Sequence, residues 1–230
     1  MKRLIFILIL TFSFSQILSA QEKGVGQLIE GIDWLGHASV KISKAGKVIY
    51  IDPWEVSDTQ KADIILITHP HYDHLSPTDV KKLQKPDTVV VVSKDGANKL
   101  SGDVRPVSPG DKLSIGGVNI EVVRAYNTNK QFHPKSNNWN GYIIEIGGER
   151  IYHAGDTDLL PEMENVKADV ALLPIGGTYT MDAEEAAEAA NIINPKVAIP
   201  IHYGKIVGSK SDAQTFKAKC SVPVEILKQK

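Results

Sequence analysis

Three histidines and an aspartate crowd into one short segment, His69-Pro70-His71-Tyr72-Asp73-His74. Neutral imidazole and carboxylate are the donors that a divalent ion such as zinc takes when thiolate is absent. Cys220 is the single cysteine, so neither an intrachain disulfide nor a Cys-rich metal site can form. Pro70 restricts the backbone between the two flanking rings. A loop of this kind can point His69 and His71 to one side and Asp73 and His74 to the other, so that two neighbouring ions share it. The competing reading is a polar surface loop with solvated histidines.

The flanking residues set where the cluster sits. Ile64-Ile65-Leu66-Ile67 is a continuous apolar run, the pattern of a strand buried on both faces. After the cluster, Ser76 reads as an N-cap and Pro77 as the first helical residue of a helix over Pro77–Gln84. Two further donors also follow strands. Asp156 comes after Arg150–His153 through Gly155, which lets the backbone approach something closely. His202 comes after Val197–Ile201. An acid and a histidine at separate strand ends are what a metal site between two sheets requires. The alternatives are a turn aspartate and a satisfied core histidine.

Other β-like runs are Gln27–Trp34, Ser39–Ser43, Lys47–Ile51, Thr88–Ser93, Val104–Val107, Asn119–Ala125, Gly141–Ile146, Asp169–Pro174 and Val222–Leu227. Gly46, Gly116-Gly117 and Gly147-Gly148 mark hairpin turns. Asp182 with Glu185 three residues on predicts a capping box, and the helix stops before Asn194-Pro195. Lys94–Leu100 and Ser211–Lys219 are shorter helical candidates. Many strands with interspersed helices imply two sheets covered by helices.

The chain has 230 residues, 26 Lys and Arg against 27 Asp and Glu, and 42% hydrophobic residues. These values describe a globular protein and exclude a disordered or polytopic membrane chain. A net charge of −1 argues against a broad nucleic-acid surface. Lys2 and Arg3, the apolar run from Leu4 and the small residues before Gln21 read as a signal peptide over 1–20. This leaves one domain over 21–230. The expectation is an exported, periplasmic or secreted protein with no stable membrane insertion once the signal is removed.

His69-x-His71-x-Asp73-His74 after a buried strand resembles the signature of the metallo-β-lactamase superfamily. Trp34-Leu35-Gly36-His37-Ala38 with Ile51-Asp52-Pro53 is similar to the opening of its small single-domain hydrolase branch. Tyr152-His153-Ala154-Gly155-Asp156-Thr157, Leu173-Pro174-Ile175-Gly176-Gly177 and Ile199-Pro200-Ile201-His202-Tyr203-Gly204 resemble its later segments. The resemblance implies an α/β fold, the αββα four-layer sandwich of two mixed sheets flanked by helices. It also implies a one- or two-metal site between the sheets. Asp156 corresponds to the metal-bridging aspartate and His202 to a terminal ligand.

On this reading His69, His71 and His133 hold the first of two divalent ions, with zinc favoured and manganese or iron possible. Asp73, His74 and His202 hold the second. His133 lies several residues into a polar loop, so it is alternatively a lid histidine, with Asn127 or water filling the coordination gap. His37 and His153 read as hydrogen-bonding partners of ligands or as core residues. Tyr179 either donates to a substrate oxygen or packs. Lys130 and Lys135 are solvated loop charges or partners for a substrate anion, and the loop 127–140 with Trp139 is a candidate lid.

A pair of ions can hold a bridging water and lower its pKa toward neutrality, with Asp73 orienting the nucleophile. No G-x-S-x-G or similar nucleophile motif competes. The expected reaction is hydrolysis of an ester, lactone, amide or phosphoester in a small-molecule or lipid-derived substrate. Relatives of this branch include a sugar-phosphate lactonase and a phospholipase D for N-acylated phospholipids. An RNA-processing phosphodiesterase and a non-catalytic metal-binding protein are the alternatives. A di-iron oxygen reductase is disfavoured, because such relatives carry glutamate where His71 stands.

Overall fold

A computed structural model of the protein describes residues 23–230. The signal-peptide segment 1–20 lies outside the described residues. The chain divides into a unit ending at Glu30 and a second unit, Gly31–Lys230, which carries the fold discussed below. No helix among the described residues is long and apolar enough to cross a membrane.

The first half of the larger unit forms one six-stranded sheet in simple order: β1 (Ile32–Gly36), β2 (Ser39–Lys44), β3 (Lys47–Ile51), β4 (Ile64–Ile67), β5 (Val89–Ser93) and β6 (Asp103–Val107). The first three strands run antiparallel through tight turns; β3 to β6 are parallel. Parallel neighbours need crossovers, and α1 (Pro77–Leu83) supplies the one between β4 and β5. Ser76 caps it by accepting from the Asp79 N–H. Alternation in β4 sends Ile65 and Ile67 to the face that packs with Val80 and Leu83 of α1. Ile64 and Leu66 point the other way and are equally buried. Each such side chain contributes about 1.5–3 kcal/mol on burial.

The second half builds the other six-stranded sheet, ordered β12-β11-β10-β9-β8-β7. Its strands are β7 (Lys112–Ile115), β8 (Val118–Arg124), β9 (Asn140–Ile146), β10 (Glu149–His153), β11 (Val170–Pro174) and β12 (Val197–Ile201). The β7 to β10 ladders are antiparallel, and β10 to β12 are parallel. Between β11 and β12 runs α2 (Ala183–Ile193), with the Asp182–Glu185 capping box in place and an alanine-rich buried face. α3 (Lys210–Lys219) packs beside it. The result is an αββα sandwich of two mixed sheets. The Tyr142 hydroxyl donates to the Ile67 carbonyl (2.6 Å), and the Asn140 N–H donates to the Thr68 carbonyl (3.1 Å). Both contacts join the sheets where β4 ends.

Several local readings are corrected. The run Gln27–Trp34 is not one strand: residues 23–29 are helical and β1 starts at Ile32. Lys94–Leu100 shrinks to a 3-10 turn at Ala97–Lys99. Val222–Leu227 is no strand. It bonds β12 only around Val224 and then leaves for β1, where the Lys230 N–H donates to the Trp34 carbonyl.

Candidate metal centre

The donors predicted from sequence converge at the strand ends between the two sheets. β4 delivers the His69–His74 segment, and β10 delivers Asp156 through Gly155 (φ +67°), where a Cβ would lie 2.6 Å from the Asn140 carbonyl. β12 delivers His202, and the loop after β8 delivers His133.

His69, His71 and His133 form one group. His71 Nδ1 lies 3.0 Å from His69 Nε2 and 3.2 Å from His133 Nε2. Burial lowers all three pKa values, His133 to about 4, so their lone pairs are kept. The other nitrogens have partners that fix the tautomers. His69 Nδ1–H donates to Thr68 Oγ1 (3.0 Å), and His133 Nδ1–H donates to the Tyr179 carbonyl (3.1 Å). Asn127 Nδ2 donates to the same carbonyl (2.8 Å), and its N–H donates to the His133 carbonyl. Asn127 thus braces the His133 loop. The Tyr179 carbonyl faces this group, and its ring packs on Phe132.

Asp73, His74 and His202 form the second group, together with His37. Asp73 Oδ2 lies 3.8 Å from His74 Nε2 and 3.0 Å from His37 Nε2. Burial alone would raise the Asp73 pKa. The His37 hydrogen bond and the neighbouring His74 outweigh it and bring the value down to about 2. Asp156 stands between the groups. Its Oδ2 is 3.3 Å from His133 Nε2, 3.4 Å from His74 Nε2 and 3.2 Å from His202 Nε2. Burial opposes its charge, but His202 and His74 hold its pKa well below the usual carboxylate range.

This donor set fits divalent ions. Bonds of about 2.0–2.2 Å place adjacent donors of one ion about 3–3.5 Å apart, the spacing found here. Three imidazole nitrogens aimed at one point cannot all satisfy one another with protons. Among the described residues, Asp156 Oδ1 and His202 Nδ1 are buried with no hydrogen-bond partner, and His74 Nε2 and His202 Nε2 both face the one Asp156 Oδ2 (3.4 and 3.2 Å), an arrangement a protein tolerates where a cation completes it.

Asp52, given no role in the sequence reading, anchors the arrangement. Fully buried, it accepts from the Thr68 N–H (2.7 Å), Thr68 Oγ1–H (2.6 Å) and His74 Nδ1–H (2.7 Å). One carboxylate therefore orients both His74 and, through Thr68, His69. Asp52→Ala is expected to weaken metal binding by about 10–100-fold with every direct donor intact, as measured by competition with a chromogenic chelator. The signal in the sequence was an acid directly after an apolar strand.

The remaining predicted residues fall outside the donor cluster. His153 accepts from the Gly155 N–H (3.2 Å) and donates to the Ala38 carbonyl (3.0 Å), which ties two site loops together. Lys130 is paired with Asp158. Lys135 donates to the Tyr126 hydroxyl (3.1 Å) and lies 3.5 Å from Glu162. Trp139 is buried with its ring against His69, His71 and His133, and its N–H donates to Asp95 (2.7 Å). It walls the first group rather than forming part of a lid.

The sandwich and its His/Asp strand ends together define a metallohydrolase scaffold. The family model described as Beta-lactamase superfamily domain matches residues 31–202. A UPF0173 metal-dependent hydrolase of Caldivirga maquilingensis is 36% identical over 205 residues, 81% of this chain and 87% of the relative. A UPF0173 protein of Pyrococcus abyssi is 37% identical over 193 residues, covering 79% and 87%. Among solved structures, a Parabacteroides distasonis protein provisionally designated a metal-dependent hydrolase is 37% identical with a TM-score of 0.77, covering 86% of this chain and 93% of that one. Igni18, a metallo hydrolase from Ignicoccus hospitalis, is 26% identical with a TM-score of 0.70, covering 86% and 94%. The chain belongs to the metallo-β-lactamase superfamily and is a metal-dependent hydrolase similar to its UPF0173 members.

Proposed function

We propose that the protein binds two divalent ions, zinc being the favoured pair, and hydrolyses an ester, lactone or phosphoester of a small-molecule or lipid-derived substrate. The observation that carries this reading is the position of Asp156, whose single Oδ2 faces His133 of one group and His74 and His202 of the other. His69, His71 and His133 would hold the first ion, Asp73, His74 and His202 the second, with Asp156 shared. Bound ions supply Lewis acidity and an ionised water near neutral pH.

The protein's own groups do the rest. Asp73, held anionic, accepts a hydrogen bond or ligates and so fixes the direction of attack. The Asp52–Thr68 network keeps His69 and His74 in their binding tautomers. Trp139 and the braced loop around Asn127 wall the first group on one side. Tyr72 and Phe132, each beside a donor histidine, are large side chains left exposed. They favour a substrate with an apolar or aromatic portion. The basic and apolar residues 1–20 support export to the periplasm or medium.

A panel of lactones, carboxylic esters, phosphodiesters and β-lactams tests this reading. The zinc- or manganese-loaded protein is expected to turn over at least one class, to lose turnover with a chelator and to regain it on re-addition of metal. Metal-loaded protein inert to every class would count against it.

A further inference from the structure

The hydrogen bond to Asp73 leaves part of the geometry of His37 unexplained. Its Nε2 lies 3.0 Å from Asp73 Oδ2. Its ring centroid is 3.8 Å from that of His202 and 5.7 Å from that of His74. One donor atom each from His37, Asp73, His74 and His202 lies within 4.8 Å of all the others. Donors about 2.0–2.2 Å from one ion stand about 3 Å apart at right angles and about 4.2 Å apart when opposite. Four donors within 4.8 Å of one another need move together by only a few tenths of an ångström to share one coordination sphere, at about 4.4 Å across.

We infer that His37 is a direct ligand of the second ion, which then has His37, Asp73, His74 and His202 as its own donors and shares Asp156 as a fifth. This rests on the two-ion reading and deepens it. A residue that only positioned Asp73 would need its N–H on that carboxylate and nothing more. It would not need to lie against the ring of His202, a buried histidine whose Nε2 faces Asp156 (3.2 Å) and whose Nδ1, like the Nδ1 of His37, has no hydrogen-bond partner among the described residues. Buried nitrogens without partners are costly when dry, and a cation held between the two rings offsets that cost.

The backbone is built to bring the two rings together. His37 (φ +49°) and His202 (φ +60°) both occupy the left-handed region. The His202 N–H donates to the His37 carbonyl (2.7 Å), which also accepts from Trp34 Nε1 (2.8 Å). Non-glycine residues persist in that region where the surroundings over-determine them, and such positions cluster at functional sites.

The two positions are then chemically unequal. Three imidazoles and a shared carboxylate at the first suit tetrahedral zinc. Five donors at the second suit ions that accept five or six nitrogen and oxygen ligands, such as manganese(II) or iron(II).

Anomalous diffraction from crystals of the wild-type protein loaded with manganese and zinc tests the ligand directly. A His37 nitrogen within about 2.4 Å of the second ion is the expected result. A second ion in place with both His37 nitrogens beyond about 3 Å overturns the inference while leaving the two-ion reading intact. A wild-type protein that takes up no second ion overturns both. In solution, His37→Gln keeps an N–H for Asp73 but removes the imidazole. In the cobalt-loaded protein it should alter the visible absorption of the second ion and weaken its binding at least about tenfold. A spectrum and affinity both matching wild type would contradict ligation.

Discussion

Asp156→Asn is expected to reduce bound metal from two ions per chain toward one and to lower turnover by about 10³-fold or more. The size follows from what the carboxylate touches. Its Oδ2 is the only oxygen among the described residues within 3.4 Å of ring nitrogens from both donor groups. Asparagine keeps the shape but removes the charge that makes close approach of two cations tolerable. Loss of several kcal/mol of charge stabilisation, at tenfold per 1.36 kcal/mol, gives the stated range. Metal content by elemental analysis and steady-state rates on the best substrate of the panel check it. A variant with full metal content and rate would mean that Asp156 does not bridge.

His69→Ala is expected to abolish occupancy of the first position, with a comparable loss of activity. His69 belongs to two donor groups at once, with His71 and His133 and with His74 and Asp156. It is buried, and its Nδ1 is pinned to Thr68, so its Nε2 is held toward the donor group. Removing a buried ring also costs stability, about 2–5 kcal/mol when the site cannot collapse. Thermal unfolding of the metal-free variant therefore accompanies the metal measurement. A folded His69→Ala protein that retains both ions would remove His69 from the ligand set.

Much of this architecture is legible in the sequence because the signals are local. The apolar run of β4, the capped start of α1 and the Asp182–Glu185 capping box each sit within one short segment, and the structure holds them all. The edge strand β7 is not legible: Lys112 to Ile115 alternates between exposed and half-buried positions, with Lys and Ser on the exposed ones. Such a strand is defined by its partner β8 rather than by its own composition. The terminal run after Val222 has strand-like residues but no continuous neighbour, because it crosses from one sheet edge toward the other.

The candidate site divides along the same line. The His69–His74 segment announces itself, since its donors are adjacent in the chain. Asp52 does not, because its role consists of hydrogen bonds to Thr68 and His74, 16 and 22 positions away. His133 follows its strand only after a loop, and its left-handed backbone (φ +56°) brings it to His71. The placement of His37 against His202 depends on contact between opposite ends of the chain, which no local pattern encodes.

The central claim is that these scattered side chains bind a pair of cations. Isothermal titration of the chelator-stripped wild-type protein with zinc, and separately with manganese, tests it most directly. Saturation is expected at two ions per chain for the wild type, near one for Asp156→Asn and near one for His69→Ala. Saturation at one ion or fewer in the folded wild type, or identical stoichiometry in all three proteins, would contradict it.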